Sequence, residues 1–379
     1  MRDVLQVLMD LVRIPSTNPP GNEHLIAPYL ANFLRELGAQ ITCQEVYPGR
    51  SNIIGEWSWG RGHRLLFNTH MDVHNPEGQV WSMDPFEPVL HNGRLYGRGT
   101  ADAKGSLAAM LCAIERLVQD PRGLKGTLLF TIVMGEESGG HGTAHLISSG
   151  CAADGAVVGE PTELQIKAAN KGTFIRRISF TGRAAHSGQS HLGINAIEPA
   201  CQLLQRVFAY QEEVLSRQKH HLVGNPSLIP TLIGGGTAQN TVPGSCYVVL
   251  DRRLVPGESH DFARQELADL IEQAGVADRV YSIEEIVKTD PCETALDSAV
   301  VLAAQQSLDK HGKATEVGGF PAGCDMSKLV LWAGIPSVIL GPGSLAQAHG
   351  PDEYVEVEQV RVATLVYEDM ARSFLRGEQ

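Results

Sequence analysis

Along the first part of the chain two apolar periodicities alternate. Residues 2–13 and 23–38 repeat apolar positions at helical spacing and are separated by the turn-rich IPSTNPPGN. Strands are expected at 40–46, 52–57 and 64–69, and a helix over 103–119. The run TLLFTIV at 127–133 is apolar throughout and rich in β-branched residues, the pattern of a strand buried on both faces. Another short apolar strand, 153–158, ends in Gly-Glu-Pro. Strand, helix and strand with polar residues just beyond the strand ends is the layout of a wound α/β sheet, in which ligands gather at the carboxyl ends of the strands.

The pattern changes near residue 173. TFIRRISFTGRAAHSG alternates like a half-exposed strand and is followed by a long helix at about 194–217. SLIPTLIGGGTAQNTVPG (227–244) reads as a polar, proline-containing loop, and SCYVVLDRRL as a strand. A helix at about 259–274 and a strand at about 278–287 complete a small α+β, ferredoxin-like insert. The chain then returns to a helix (297–311), the turn GGFPAGCD, a helix (326–333), the strand IPSVIL and a last helix (356–376). The expected fold is α/β: a wound mixed-sheet catalytic domain in two pieces, 1–172 and 286–379, with a lid of 173–285 inserted between them.

Composition narrows the partners. A chain of 379 residues is long for one core, and 43% hydrophobic with 20% charged residues is the balance of a soluble globular protein. The net charge of -12 argues against nucleic acid and against an anionic membrane surface, both of which call for a basic face. The N-terminal segment has acidic residues within its apolar stretch and no signal-peptide core, and no later run is long enough to span a membrane. Seven scattered cysteines without a CxxC pair are expected to be reduced thiols of a cytoplasmic protein.

Candidate chemistry centres on five groups placed after strand-like segments or in turns: His70, Asp102, Glu137, Glu160 and His349. Two imidazoles and three carboxylates, without sulfur, suit a borderline or hard divalent ion. Three carboxylates suit two ions better than one. With Asp102 as a bridge, each ion would receive one further carboxylate and one histidine, at a separation of about 3.5–4 Å. Either histidine alone reads as an ordinary hydrogen-bonded side chain; five such groups after different elements read as a metal centre. Glu136-Glu137 follows the buried TLLFTIV strand, where adjacent carboxylates are costly unless a cation compensates them. One can bind metal while the other takes a proton from water. Alone, the dipeptide reads as a solvated acidic turn.

These motifs carry a resemblance. His70-x-Asp72, Gly-Arg-Gly-Thr-Ala-Asp102-x-Lys104-Gly, Gly-Glu136-Glu137, Gly-Glu160-Pro, Ala-His186-Ser, Asn240-x-Val-Pro and GPGSLAQAHGPDEYV occur in the right order over nearly the whole chain. Together they resemble the dinuclear zinc aminoacylase/carboxypeptidase superfamily, and within it the acetylornithine deacetylase / succinyl-diaminopimelate desuccinylase family. The resemblance implies that His70 and Glu160 bind one ion, Glu137 and His349 the other, and Asp102 both. The two divalent ions are expected to be zinc, with cobalt or manganese as alternatives. Asp72 would accept a hydrogen bond from His70 and fix its ring. Glu136 would be the general base and then the proton donor to the leaving amine. The Asp102-Ala103 peptide is expected to be cis, as is common in the family.

The resemblance also implies a homodimer formed through the inserted domain. His186, in that domain, would reach the active site of the partner subunit and stabilise the oxyanion. Asn240 and Arg253 would touch the substrate, with the choice between Arg253 and the adjacent Arg252 open. Gly341 and Gly343 would offer backbone N–H groups to a substrate carboxylate. The function so implied is metal-dependent removal of the acyl group from a small N-acyl amino acid. A dipeptidase or carboxypeptidase on the same site is the alternative, and a non-catalytic amino-acid-derivative binding protein the remote one. A serine hydrolase is disfavoured because no Gly-x-Ser-x-Gly is present. The segment GCDMSKL (323–329) leaves the acyl and amine groups open, and His74, His141 and His191 have no role in this scheme.

Overall fold

The computed structural model describes residues 1–376. These form two compact units. One comprises Met1–Ala169, Glu293–Phe320 and the chain from Cys324 onward; the other comprises Asn170–Cys292 with Pro321–Gly323. The first and last long strands of the second unit in chain order are Gly172–Thr181 and Tyr281–Thr289.

The first unit is built on a mixed sheet. Its centre is four parallel strands in the order Ser337–Ile339, Gly155–Val158, Arg64–His70 and Thr127–Val133. Antiparallel Arg50–Ser58 and Gln40–Tyr47 extend the sheet beyond Thr127–Val133. The apolar runs explain the register. Leu66 lies beside Ala156 on one side and Leu129 on the other, and all three are buried. A buried Leu or Phe contributes about 1.5–3 kcal/mol relative to an exposed one, so a register slip here is strongly opposed.

Helix Lys104–Gln119 is apolar nearly all round, and every side chain from Leu107 to Ile114 is buried. It packs against Val4–Val12 and Val357–Phe374, and the latter also packs on Ala299–Lys310. Ala27–Glu36 covers the antiparallel strands, and His141–Ser148 lies against Met326–Ala333. No helix among the described residues is long and apolar enough to cross a membrane.

The second unit is an antiparallel sheet in the order Ser227–Gly235, Ser245–Leu254, Gly172–Thr181, Tyr281–Thr289. Helices Ile197–Glu213 and His260–Gln273 complete a β-α-β-β-α-β succession. Its core joins Phe180, Leu203, Val207, Val248, Leu250, Leu267 and Ile271. The segment read as a loop from 227 is therefore corrected: Ser227–Gly235 is a strand. Pro230 and the glycines suggested a loop. An edge strand tolerates both, and the register shifts between Pro230 and Leu232, as at a bulge.

Candidate metal centre

The candidate site residues of the first unit stand mostly at the carboxyl ends of its parallel strands. His70 ends Arg64–His70, Glu136 and Glu137 follow Thr127–Val133, and Glu160 follows Gly155–Val158. Asp102 lies just before helix Lys104–Gln119, and its peptide bond to Ala103 is cis. The potential ligands within this unit fall into two groups, His70 with Glu136 and Glu160, and Asp102 with Glu137 and His349. Within each group the ligand atoms lie within 4.8 Å of one another. Asp102 links the groups through its two oxygens: Oδ1 is 3.1 Å from His70 Nε2, and Oδ2 is 3.3 Å from His349 Nε2. His349 Nε2 is also 2.9 Å from Glu137 Oε2, and His70 Nε2 is 3.9 Å from Glu160 Oε1.

The surroundings hold these groups in place. His70 Nδ1 is 2.9 Å from the main-chain carbonyl of Asp72, while the nearer Asp72 carboxylate oxygen lies at 3.7 Å. The carbonyl makes the shorter contact to the ring, and the Asp72 carboxylate interacts with it from the longer distance. The Asp72 carboxylate also accepts from the N–H groups of Glu136 and Glu137, both at 3.2 Å, and from Asn18 Nδ2 at 2.8 Å. It holds the acidic turn. Glu23, fully buried, accepts from the preceding Gly135 N–H and pairs with Arg50.

The electrostatics call for cations. Burial, opposed by His70 and reinforced by Asp325, Glu137 and Asp102, pushes the Glu136 carboxyl up to about 8. Burial and then Asp102 raise Glu137, and the same pair of causes raises Glu160 well above the usual carboxylate range. Asp102 goes the other way: burial opposes it, but hydrogen bonds from His349 and His70 hold it below that range. Bonds to Asp102 and Glu137 push His349 up to about 11. Carboxyls whose ionisation is opposed by burial and by a neighbouring carboxylate are relieved by divalent cations, and an oxygen- and imidazole-rich donor set suits such ions. The residues present therefore fit a pair of divalent metals.

Several residues take other places. Gly341 and Gly343 do not offer free N–H groups, because Gly341 donates to Thr162 Oγ1 and Gly343 to Gln359 Oε1. Their glycine identity answers to packing: a Cβ on Gly341 would meet Ser106 Oγ at 2.2 Å and the Glu160 carbonyl at 2.5 Å. In the second unit, His186 and Asn240 come together where Ala185–His186 pairs with Thr241–Val242, and Ser187 N–H donates to the Asn240 carbonyl. Both are exposed. Arg252 is buried between Glu258 and Glu266. Arg253 is 31% exposed and binds Asp251 and Thr173, so of the two it is the one within reach of solvent.

Sequence reasoning missed Glu353 and Arg98, a buried ion pair at 2.8 Å behind the Asp102 turn. Their only sequence signal was proximity to two ligand motifs. Lys328 and Asp325, 3.0 Å apart, pack where Gly140 lacks a Cβ, and Thr143 donates to Asp325. His74 stacks on His349 with ring centroids 4.7 Å apart.

The profile of Peptidase family M20/M25/M40 matches residues 66–373. Among curated proteins, the sequence is 30% identical to the acetylornithine deacetylase of Klebsiella pneumoniae (strain 342), over 90% of this chain and 88% of that one. It is 27% identical to the N-formyl-4-amino-5-aminomethyl-2-methylpyrimidine deformylase of Bacillus subtilis (strain 168), over 98% and 94%. Among solved structures, an M20 family metallo-carboxypeptidase of Sulfolobus solfataricus superposes with a TM-score of 0.83 at 20% identity, covering 99% of both chains. A dinuclear metal binding peptidase of the M20 family from Bacillus subtilis gives 0.73 at 16% identity, covering 98% and 97%.

Proposed function

Because the chain belongs to peptidase family M20/M25/M40, whose profile spans residues 66–373, we propose that it is a metal-dependent deacylase that hydrolyses the amide bond of an N-acyl amino acid. The observation that carries this reading is Asp102, with one oxygen facing His70 and the other facing His349. The relatives of about 30% identity that remove an acetyl or formyl group favour a deacylase over a peptidase.

In this reading His70 and Glu160 would hold one divalent ion, Glu137 and His349 the other, and Asp102 both. Such ions, expected to be zinc, polarise an amide carbonyl and bring a water within reach of deprotonation near neutral pH. Glu136 is the base. Among the described residues its carboxylate has no hydrogen-bond partner, and Asp72 holds its main chain. It accepts the proton of the attacking water on a carboxylate oxygen and returns it to the departing amine nitrogen, leaving a carboxylic acid and a free amino acid. His186, whose Nδ1 accepts from Gly188 N–H, keeps Nε2 available; we assign it to the oxyanion in a homodimer formed through the second unit. Asn240 and Arg253 are assigned to the substrate.

The test is hydrolysis of N-acetyl, N-succinyl and N-formyl amino acids and of dipeptides, by zinc- or cobalt-loaded and by metal-stripped protein. Metal-dependent cleavage of an acyl amino acid is expected. Cleavage of dipeptides alone would move the protein to the peptidase branch.

A further inference from the structure

We propose that Glu353 and Arg98 are positioning residues for the metal centre, setting Asp102 and His349 together. The inference rests on the reading of those two residues as ligands. The Glu353 side chain is completely shielded from solvent. Its Oε1 accepts from the N–H groups of Ala101 (2.9 Å) and Asp102 (3.0 Å), and its Oε2 from Gly99 N–H (3.0 Å) and Arg98 Nη1 (2.8 Å). Three main-chain donors of one short turn thus converge on one carboxylate. Charge-assisted bonds of this kind resist rotation of the peptide planes that carry them. The Asp102 N–H is one of the three, so the direction in which the Asp102 side chain leaves the backbone is set from behind by Glu353. On that direction depends the division of its oxygens between His70 and His349.

Arg98 extends the same control to the opposite ligand. Its Nη2 donates to Gln79 Oε1 at 2.6 Å and to the His349 carbonyl at 3.3 Å. Gln79 Nε2 donates to that carbonyl at 2.7 Å. His349 has a φ of 62°, in the left-handed region that residues other than glycine seldom adopt, so it needs such an anchor. One buried pair therefore ties the turn of the bridging carboxylate to the main chain of the His349 ligand. Stability alone is a poor reason for such a pair, since buried ion pairs are often replaceable by apolar groups at no loss. The second unit has a comparison in Arg252–Glu266, whose bonds join a strand to a helix.

The experiment compares full-length wild type, Glu353→Gln, Gln79→Ala and Glu266→Gln. Each is stripped of metal, its Tm is recorded, and its zinc affinity is measured by competition with a chromophoric chelator. Glu353→Gln is expected to lose about 10–100-fold in zinc affinity, the range seen when partners of metal ligands are changed. Gln79→Ala should lose less, with a metal-free Tm close to wild type. Glu266→Gln should lower Tm and leave zinc affinity unchanged. Zinc affinity of Glu353→Gln within about threefold of wild type would overturn the proposal, as would an equal loss in Glu266→Gln. Should Glu353→Gln fail to fold, unchanged zinc affinity in Gln79→Ala would overturn it. Wild type that binds no zinc would instead remove the ligand reading itself.

Discussion

Asp72→Asn tests what holds the Glu136-Glu137 turn. The side chain is fully buried, and its two oxygens accept three bonds, from Glu136 N–H, Glu137 N–H and Asn18 Nδ2. An amide has one acceptor oxygen. Placed to keep Asn18 and Glu137, it turns its NH2 toward the Glu136 N–H, so one donor faces another. A bond to a charged acceptor is lost and a buried N–H is left unpaired, together costing about 3 kcal/mol. For a unit of this size that lowers Tm by about 6–12 °C. The Glu136 main chain then loses its anchor, and kcat should fall about 10–100-fold at saturating metal with little change in KM. Thermal melts of metal-free protein and steady-state kinetics on the best substrate of the panel measure both. A Tm within about 2 °C of wild type together with unchanged kcat would refute the argument. A loss confined to zinc affinity, with kcat intact in the saturated enzyme, would return Asp72 to the role of orienting His70.

Glu136→Gln should bind zinc with wild-type stoichiometry and lose about 10²–10⁴-fold in kcat; near-normal turnover would take the base role from Glu136. Arg252→Met leaves the buried Glu266 and the partly buried Glu258 without their cation and should destabilise the second unit by about 3–5 kcal/mol, seen by calorimetry as an earlier transition. An unchanged thermogram would show that Arg252 is dispensable to the fold. Chelation of the metals should lower Tm and zinc should restore it, because burial first and then the Asp102 charge raise Glu136, Glu137 and Glu160. At zinc 1,000-fold above its Kd the recovery should amount to about 4 kcal/mol, and a Tm indifferent to zinc would count against the centre.

Much of this protein was legible in its residue pattern. The run 127–133 was read as a strand with its observed limits because an unbroken apolar, β-branched stretch has few other places to go. The residues read as ligands were visible for a related reason: charged groups directly after buried strands need a cause. Pattern was misleading at Ser227–Gly235, where a proline and glycines mask an edge strand.

Only the tertiary structure decided the partners. Neighbouring Arg252 and Arg253 differ in nothing local, yet the alternation of the strand buries the first among acids and leaves the second partly exposed. Asp72 lies two residues from His70, yet its carboxylate also holds a turn more than sixty positions away. Gly341 and Gly343 have their N–H groups taken by side chains from other elements. Glu353 reaches Asp102 across 251 positions of sequence. Periodicity records which side chains leave water, because burial is decided by the face on which a residue lies. Which donor meets which acceptor depends on how distant segments pack, and that is settled only when the whole sheet and its helices have closed.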